Sequence, residues 1–249
     1  MPPTTHPPIN GQAISDHLVR LNLHPSPSFL HSFISSQTRN LPINAVCHSA
    51  RFRILNADIR ECLSPPPNQL LPRDLTRSNP HDLPAQERHL AGPFVLQIAW
   101  VEDIGKSKWS QLTEWEQAKR DEGREKVVGL ADADSDDAAE ATHPANAIGQ
   151  GRSQALAPKG PFKLHLHDAQ NPPAQVHGVT VGPIEGINVD VPMGGKILVK
   201  DVVVARGVML LDSSNTTLLG GKVHALATKY KEGRIDYLRR HLEGDGTVG

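Results

Sequence analysis

The chain has 249 residues, of which 21 are proline and 20 are glycine, and only 4% are aromatic. Its 26 lysines and arginines face 27 aspartates and glutamates, so it lacks the broad cationic surface that drives nonspecific binding to nucleic acid or anionic lipid. Two cysteines and no long apolar run argue against a disulfide framework, a thiolate zinc site and a membrane span, so we expect a soluble protein of a reducing, intracellular compartment.

Apolar residues spaced three and four apart predict three short helices near the N-terminus, which together form a helical module over residues 11–63. Ser28 is the predicted N-cap of the second helix, and the Leu41-Pro42 pair is predicted to precede the third. The apolar positions are Ile14, Leu18 and Leu21, then Phe29, Leu30, Phe33 and Ile34, then Phe52, Leu55 and Ile59.

Prolines dominate residues 64–91 and predict an extended linker, because proline neither continues a helix nor enters a central strand. Five strands are predicted beyond it, with a tight turn at Arg206-Gly207 between the last two. Several short strands joined by Gly-rich turns favour a barrel. The predicted strands span residues 94–101, 162–167, 175–180, 196–204 and 208–211.

A polar insert of roughly 60 residues, 103–160, separates the first two predicted strands, and an amphipathic pattern over residues 223–241 predicts a last helix after Gly220-Gly221. The predicted class is α+β, mainly β: the helical module, then an OB-like barrel domain over residues 92–242 that carries the insert and ends in the helix. Because long loops are usually functional or disordered, the insert is the predicted functional element.

Within the insert, Trp109, Leu112 and Trp115 recur every three residues, and Glu116 and Arg120 stand at i and i+4. This pattern predicts a short helix with an aromatic edge. Tryptophan is enriched among interface anchors, so the three apolar side chains are candidate partner contacts. The alternative, that they pack back onto the barrel, is equally open.

Three histidines suggest a metal site, because His165 and His167 share one strand face and His177 is on the next strand. The opposite face carries Phe162, Leu164 and Leu166, the natural core. Lys163, His165 and His167 are therefore predicted to form the solvated side of an ordinary amphipathic strand, with no metal bound.

The acidic run 131–140 has the alternating carboxylates of a calcium loop but fails at two positions. Asp137 stands where the loop needs glycine, and His143 stands where it needs a bidentate glutamate, so a disordered acidic tract is predicted. The sequence also lacks a phosphate-binding loop and a nucleophile elbow. We therefore expect neither a cofactor nor an enzyme.

The order of several segments resembles the RecQ-mediated genome instability protein family, from roughly residue 14 to residue 230. The resemblance rests on Leu55-Asn-Ala-Asp-Ile-Arg60, Gly92-Pro-Phe-Val-Leu-Gln-Ile98, Trp109-Ser-Gln-Leu112, Val191-Pro-Met-Gly-Gly-Lys-Ile-Leu-Val199, Arg206-Gly-Val-Met-Leu-Leu211 and Leu218-Leu-Gly-Gly-Lys-Val-His-Ala-Leu226.

That family consists of non-enzymatic OB-fold subunits that join topoisomerase III and a RecQ-type helicase in a complex that dissolves double Holliday junctions and decatenates DNA. The resemblance implies a nuclear scaffold. The charge balance predicts that any contact with DNA is weak or made through the complex. In the family, the insert enters the gate of the topoisomerase and modulates it. By this resemblance Trp109, Leu112 and Trp115 are expected loop contacts, and Lys196 is an expected barrel-surface contact.

Two rival functions use the same elements. OB folds often bind single-stranded DNA through a basic groove with stacking aromatics, but the predicted strands offer chiefly Phe94, Trp100 and Phe162, and acidic residues slightly outnumber basic ones. A metal-dependent enzyme built on the three histidines is the third possibility. The scaffold is the favoured interpretation.

Overall fold

The computed structural model describes residues 10–37, 41–76, 87–131 and 160–245. The chain divides into two compact units. The first comprises Met1–Gly105 and Lys159–Lys231, and the second comprises Lys106–Pro158 and Glu232–Gly249. The acidic run 131–140 lies outside the described residues except for Ala131. None of the described helices is apolar over a length sufficient to cross a bilayer.

The described part of the first unit begins with the predicted helical module, whose helices are α1 (Gly11–Arg20), α2 (Pro27–Ser35), α3 (Ile43–Asn56) and α4 (Ile59–Cys62). The prediction of Ser28 as the cap of α2 is wrong. The hydroxyl of Ser26 accepts the N–H of Phe29 at 3.2 Å, and Pro27 occupies the first helical turn, where its missing N–H costs nothing.

The third predicted helix is interrupted at Asp58, whose carboxylate accepts the N–H of Arg60 and so starts α4 as a separate turn. Arg60 also donates to that carboxylate from its side chain, which lowers the pKa of Asp58. The module has its own core, to which the barrel contributes Val95. Its fully buried members include Ile14, Leu18, Phe33, Ala50, Ile54 and Ile59.

In the described residues that follow, eight strands form a single sheet: β1 (Arg88–Leu90), β2 (Phe94–Asp103), β3 (Phe162–His167), β4 (Gln175–Thr180), β5 (Lys196–Val199), β6 (Val202–Ala205), β7 (Val208–Leu211) and β8 (Thr216–Gly220). The predicted turn is confirmed, since Arg206 and Gly207 have φ values of 50° and 78°. The prediction of one strand over residues 196–204 is wrong because Asp201, at φ 47°, bends it into β5 and β6.

The sheet order is β1-β6-β7-β4-β3-β2-β5-β8, in which β5 and β6 stand near opposite ends although only two residues join them. The sheet must therefore curl round on itself, as an OB barrel does. After the bend, the two strands therefore have different neighbours. Strand β5 pairs with β2 and β8, whereas β6 pairs with β1 and β7. The predicted class, α+β with mostly strands, is confirmed.

The prolines of residues 64–91 do not make all of that stretch a linker. Leu71 and Leu75 are buried in the barrel core, and β1 pairs with β6. The N–H of Leu71 donates to the buried carboxylate of Asp168 at 3.2 Å, which fixes this segment to the end of β3. Among the described prolines, Pro67 begins a short 3-10 segment, and Pro65, Pro66 and Pro72 lie outside the strands, so their missing N–H groups leave no ladder bond unmade.

The last helix, α6 (His224–Asp245), starts three residues after Gly221. Its first two turns belong to the first unit, where the Tyr230 hydroxyl donates to the carbonyl of Val101 at 3.1 Å. The ring of Trp100 meets that of Tyr230 edge-on at 4.6 Å. The apolar face of the helix thus covers the barrel core, as its periodicity predicts.

Two buried polar side chains of the barrel bind the helical module. Lys196 on β5 and Gln97 on β2 are cross-strand neighbours on adjacent strands, and each side chain is at most 1% exposed. The ammonium of Lys196 donates to the carbonyls of Leu55 at 2.9 Å and Gly194 at 2.8 Å, and also to Ala57. Gln97 accepts the N–H of Ile59 at 3.0 Å. We call this pair of side chains the clasp.

The clasp overturns the expectation that Lys196 is a barrel-surface contact. All three of its N–H groups are used by backbone carbonyls, two where α3 ends and the third at Gly194 in the barrel, so none is left for a partner. Burial lowers the pKa of Lys196 to about 8. A lysine is tolerated here because the helix end supplies unpaired carbonyls that require donors.

Replacing Lys196 with methionine tests the clasp. We expect Lys196→Met to lower the free energy of unfolding by about 3 kcal/mol, because buried carbonyls lose their donors. Lys200→Met, at the exposed position directly after β5, is the control and should change stability by less than about 0.5 kcal/mol. Urea denaturation measures both, and equal midpoints for the two variants would contradict the role given to Lys196.

Gly221 offers a second test at the same junction. It has φ +91°, and a Cβ there would lie 2.0 Å from the carbonyl oxygen of Leu55. Gly220 has φ +90° but nothing within 4 Å of its Cβ position, so Gly220→Ala suffers only backbone strain of about 1–2 kcal/mol. Gly221→Ala should cost about 1–3 kcal/mol more, because the end of α3 must move. Thermal melting curves that coincide for the two alanine variants would refute a tight fit.

Candidate partner-binding site

The insert leaves the barrel at the end of β2, where the N–H of Gly105 donates to the carboxylate of Asp103 at 2.9 Å. The second unit then begins with α5 (Lys108–Ala131), a 24-residue helix and so longer than the short one predicted. Ser107 starts it: the hydroxyl accepts the N–H of Ser110 at 3.1 Å, and Gln111 donates to the carbonyl of Lys106 at 3.0 Å. The first turn of α5 is thereby fixed.

Leu112 anchors α5 to the later part of α6 within the second unit. Its side chain, 8% exposed, shares a small core with Ile235 and Leu238. Trp115 lies at the border of this core, and the guanidinium of Arg234 stands 4.3 Å from the centre of its ring. A cation in that position is attracted by the negative face of the indole.

Charged pairs reinforce the same two helices. Glu116 accepts a hydrogen bond from Arg239 at 2.6 Å, and its second oxygen is 4.0 Å from Arg120, which confirms the predicted i,i+4 pair. The contact with Glu116 raises the pKa of Arg239. Lys106 binds Glu114 at 2.9 Å across the start of α5. Such exposed pairs contribute little each, so Leu112 and Trp115 carry most of the packing.

Trp109 differs from the other two candidate contacts. Its side chain is 69% exposed, on the first turn of the helix that Leu112 anchors. Of the three predicted contacts, Leu112 and Trp115 pack against α6, while Trp109 presents a large apolar surface to solvent. The structure therefore separates a supporting pair from one available anchor, and the partner roles of all three stay predictions.

The histidine cluster lies on the outer face of the barrel, as its alternating pattern indicates. The rings of His165 and His177 meet edge-on at 4.5 Å, and Nε2 of His165 is 3.1 Å from a carboxylate oxygen of Glu102. Burial lowers the pKa of His167 and of His177. Across the described part of the chain, no three histidine, cysteine or acidic side chains are arranged to hold a metal ion.

The aromatics and thiols that rival functions would need are engaged in packing. Phe94 and Phe162 are buried in the barrel core, and Trp100 packs on Tyr230, so these three offer no stacking platform for bases. Burial raises the pKa of the Cys62 thiol to about 12 and also raises the pKa of Cys47. Neither thiol is a nucleophile near neutral pH.

Sequence reasoning missed the support from Arg234 and Arg239. Both belong to α6, and Arg239 stands 123 residues from its partner Glu116. Periodicity does not report which distant helix covers an apolar edge. A signal was present in the predicted face of the last helix, which continues past the barrel-covering turns through Arg234, Tyr237 and Leu238. This later part of the face requires a second element of the chain to pack against it.

Two family models match the chain. One, described as "RMI1, N-terminal helical domain", matches residues 18–62, and the other, "RMI1, N-terminal OB-fold domain", matches residues 71–234. Together they cover most of the helical module and the barrel and confirm the resemblance noted in the sequence.

Two relatives are both described as RecQ-mediated genome instability protein 1. The chain is 33% identical to that of Schizosaccharomyces pombe over 150 residues, 57% of this chain and 61% of the relative. It is 29% identical to that of Gallus gallus over 154 residues, 61% of this chain and 21% of the relative. The matched region therefore spans about three fifths of the yeast protein and about a fifth of the chicken protein.

Truncating Leu112 tests whether it anchors α5. Leu112→Ala removes a buried side chain and should lower local stability by about 2–3 kcal/mol, so amides of residues 235–242 should exchange hydrogen faster. Thr113→Ala, at the neighbouring exposed position, should leave exchange unchanged. Hydrogen exchange followed by mass spectrometry makes the comparison. Unaltered exchange in Leu112→Ala would show that the helices do not support each other.

Proposed function

Because the chain belongs to the RMI1 family, we propose that it is a non-catalytic scaffold subunit of a nuclear complex that contains topoisomerase III and a RecQ-type helicase. Family membership supports a scaffold role in genome stability, and the relatives' name, RecQ-mediated, supports the association with a RecQ helicase. In this proposal the chain binds topoisomerase III and modulates its DNA gate through the insert, which promotes double Holliday junction dissolution and decatenation.

The exposure of Trp109 is the observation that carries the proposal. A tryptophan held on a fixed helical turn loses little conformational freedom on binding, so most of its apolar burial contributes to affinity. Leu112 and Ser107 supply that fixation, the first by packing and the second by capping. An insert of this kind needs no catalytic residue, only a surface that fits the partner.

Gate modulation follows from differential affinity. If the insert binds the open gate more tightly than the closed one, the ratio of open to closed gates in the complex rises by the ratio of the two affinities. An aromatic anchor that contributes about 2 kcal/mol in one state alone shifts the equilibrium roughly thirtyfold. The chain then changes the rate of strand passage while the topoisomerase performs all covalent chemistry.

Substituting Trp109 tests the proposal without disturbing the fold. Trp109→Ala removes an exposed side chain, so the stability of the chain should be unchanged. Affinity for the cognate topoisomerase III should fall at least about tenfold, and stimulation of decatenation should fall with it. Co-purification, titration calorimetry and a catenated-DNA assay provide the readouts.

Phe52→Ala is the matched control, because Phe52 is 68% exposed on α3 of the helical module, away from the insert in sequence. It should bind topoisomerase III like the unmodified chain. Failure of the unmodified chain to bind topoisomerase III would reject the scaffold proposal. Tight binding of single-stranded DNA by the isolated chain at physiological salt would instead support the rival barrel function.

A further inference from the structure

Strand β8 forms one end of the sheet and has β5 as its sole strand neighbour among the described residues. Its sequence, Thr-Thr-Leu-Leu-Gly, contains no charged residue and no proline. Natural edge strands are usually short, charged or interrupted, because an open edge recruits other chains. The opposite end of the sheet follows that rule, since β1 has three residues and begins with Arg88.

The hydrogen-bonding direction of β8 can be assigned from its first pair. The N–H of Lys200 donates to the carbonyl of Asn215 at 2.9 Å, so the backbone groups of Asn215 and of Thr217 point toward β5. Those of Thr216 and Leu218 point away. The N–H of Thr216 donates back to the carbonyl of Asp212 at 2.9 Å, so the outward-directed backbone N–H of this strand is that of Leu218.

A depression of about 490 Å³ adjoins this strand. Three β8 residues, Thr216, Thr217 and Leu218, line it, together with Ser213 and the segment from Ile184 to Gly186. Glu185 is the one charged residue of that lining, and its side chain is exposed. The depression can therefore accept a side chain from a strand added beside β8, and the charge of Glu185 favours a basic side chain.

An exposed apolar residue extends this surface beyond the depression. Val181 is 60% exposed, and its N–H donates to the carbonyl of Leu211 at 2.8 Å. It therefore stands beside the end of β7, next to the turn that leads into β8.

We propose that the outer edge of β8 receives an extended segment of a protein partner, which adds to the sheet as a further strand and places a lysine or arginine beside Glu185. The open backbone of Leu218, the uncharged strand and the depression with its single carboxylate together define this occupant. Main-chain bonds supply affinity, and the depression supplies selection. The identity of the partner rests on the scaffold function proposed above.

Short overlapping peptides that span the cognate topoisomerase III and RecQ-type helicase are the probes. They are arrayed and incubated with the full chain, and the peptides that bind are then titrated in solution by fluorescence anisotropy. The bound peptides should contain an extended, β-branched-rich stretch with a basic residue. Co-purification of each intact partner is measured in parallel, so that the partner assignment is tested separately.

Peptide chemistry then distinguishes strand addition from side-chain contact. N-methylation removes one backbone donor without removing a side chain. In a strand paired along one edge, N-methylation at alternate residues should weaken binding about tenfold or more, while the intervening positions tolerate it. A helical or side-chain-driven contact gives no such alternation.

Variants of the chain locate the bound peptide. Glu185→Lys should weaken binding of the basic peptide about tenfold, through loss of attraction and new repulsion. Asp190→Lys makes the same charge change at an exposed position outside the depression and should not weaken it. Unfolding curves of both variants should match that of the unmodified chain.

Alternating sensitivity to N-methylation together with selective loss in Glu185→Lys would establish the β8 edge as a docking strand. Peptide binding without alternation, or equally strong in Glu185→Lys, would overturn the inference. Binding of an intact partner with no peptide bound would overturn it while leaving the scaffold function in place. Absence of binding by both peptides and intact partners would overturn the two together.

Discussion

The ammonium of Lys196 holds the helical module to the barrel, and the arrangement of the first unit depends on this contact. A buried lysine is costly unless each of its donors is satisfied, and here three carbonyls satisfy them. The same bonds satisfy carbonyls at the end of α3 that have no partner inside the helix. Gln97 provides the complementary contact, because it accepts the first N–H of α4. Donor and acceptor stand side by side across β2 and β5 and so specify one docking position.

A scaffold protein benefits when its parts are held in one docking position. The apolar contacts of Val95, Leu198 and Leu219 with the module core bring the two parts together, but apolar burial alone tolerates sliding. Directed hydrogen bonds between buried groups remove that freedom. In the second unit Leu112 likewise provides apolar packing, and the exposed pair of Glu116 and Arg239 adds a weaker directed bond. Surfaces that remain available, such as Trp109 and the edge of β8, are therefore presented on supported backbone.

Short-range patterns predicted much of this fold and little of its long-range polar contacts. Three strands were predicted with their observed bounds, since alternation and flanking turns are properties of neighbouring residues. Strand β8 was missed because Gly220-Gly221 is typical of a helix boundary, and β1 was missed among prolines. Lys196 was expected at the barrel surface because a lysine begins the Gly-Gly-Lys-Ile-Leu strand that resembles the family segment. Its two hydrogen-bond partners in the helical module, Leu55 and Ala57, lie 141 and 139 residues away, beyond the range of any sequence periodicity. At the candidate site, the tryptophan spacing indicated a helical edge, but only the packing of α6 separates Trp109 from Leu112 and Trp115.

Hydroxyl-radical footprinting of the chain, free and with the cognate topoisomerase III, tests most directly whether the insert meets that partner. Tryptophan oxidises readily, and Trp109 is 69% exposed while Phe52, at 68%, is an internal reference of similar exposure. A topoisomerase bound through the insert predicts a clear drop in oxidation of Trp109 in the complex, with oxidation of Phe52 unchanged. Equal oxidation of Trp109 in the free chain and in a formed complex would contradict the role of the insert as the contact.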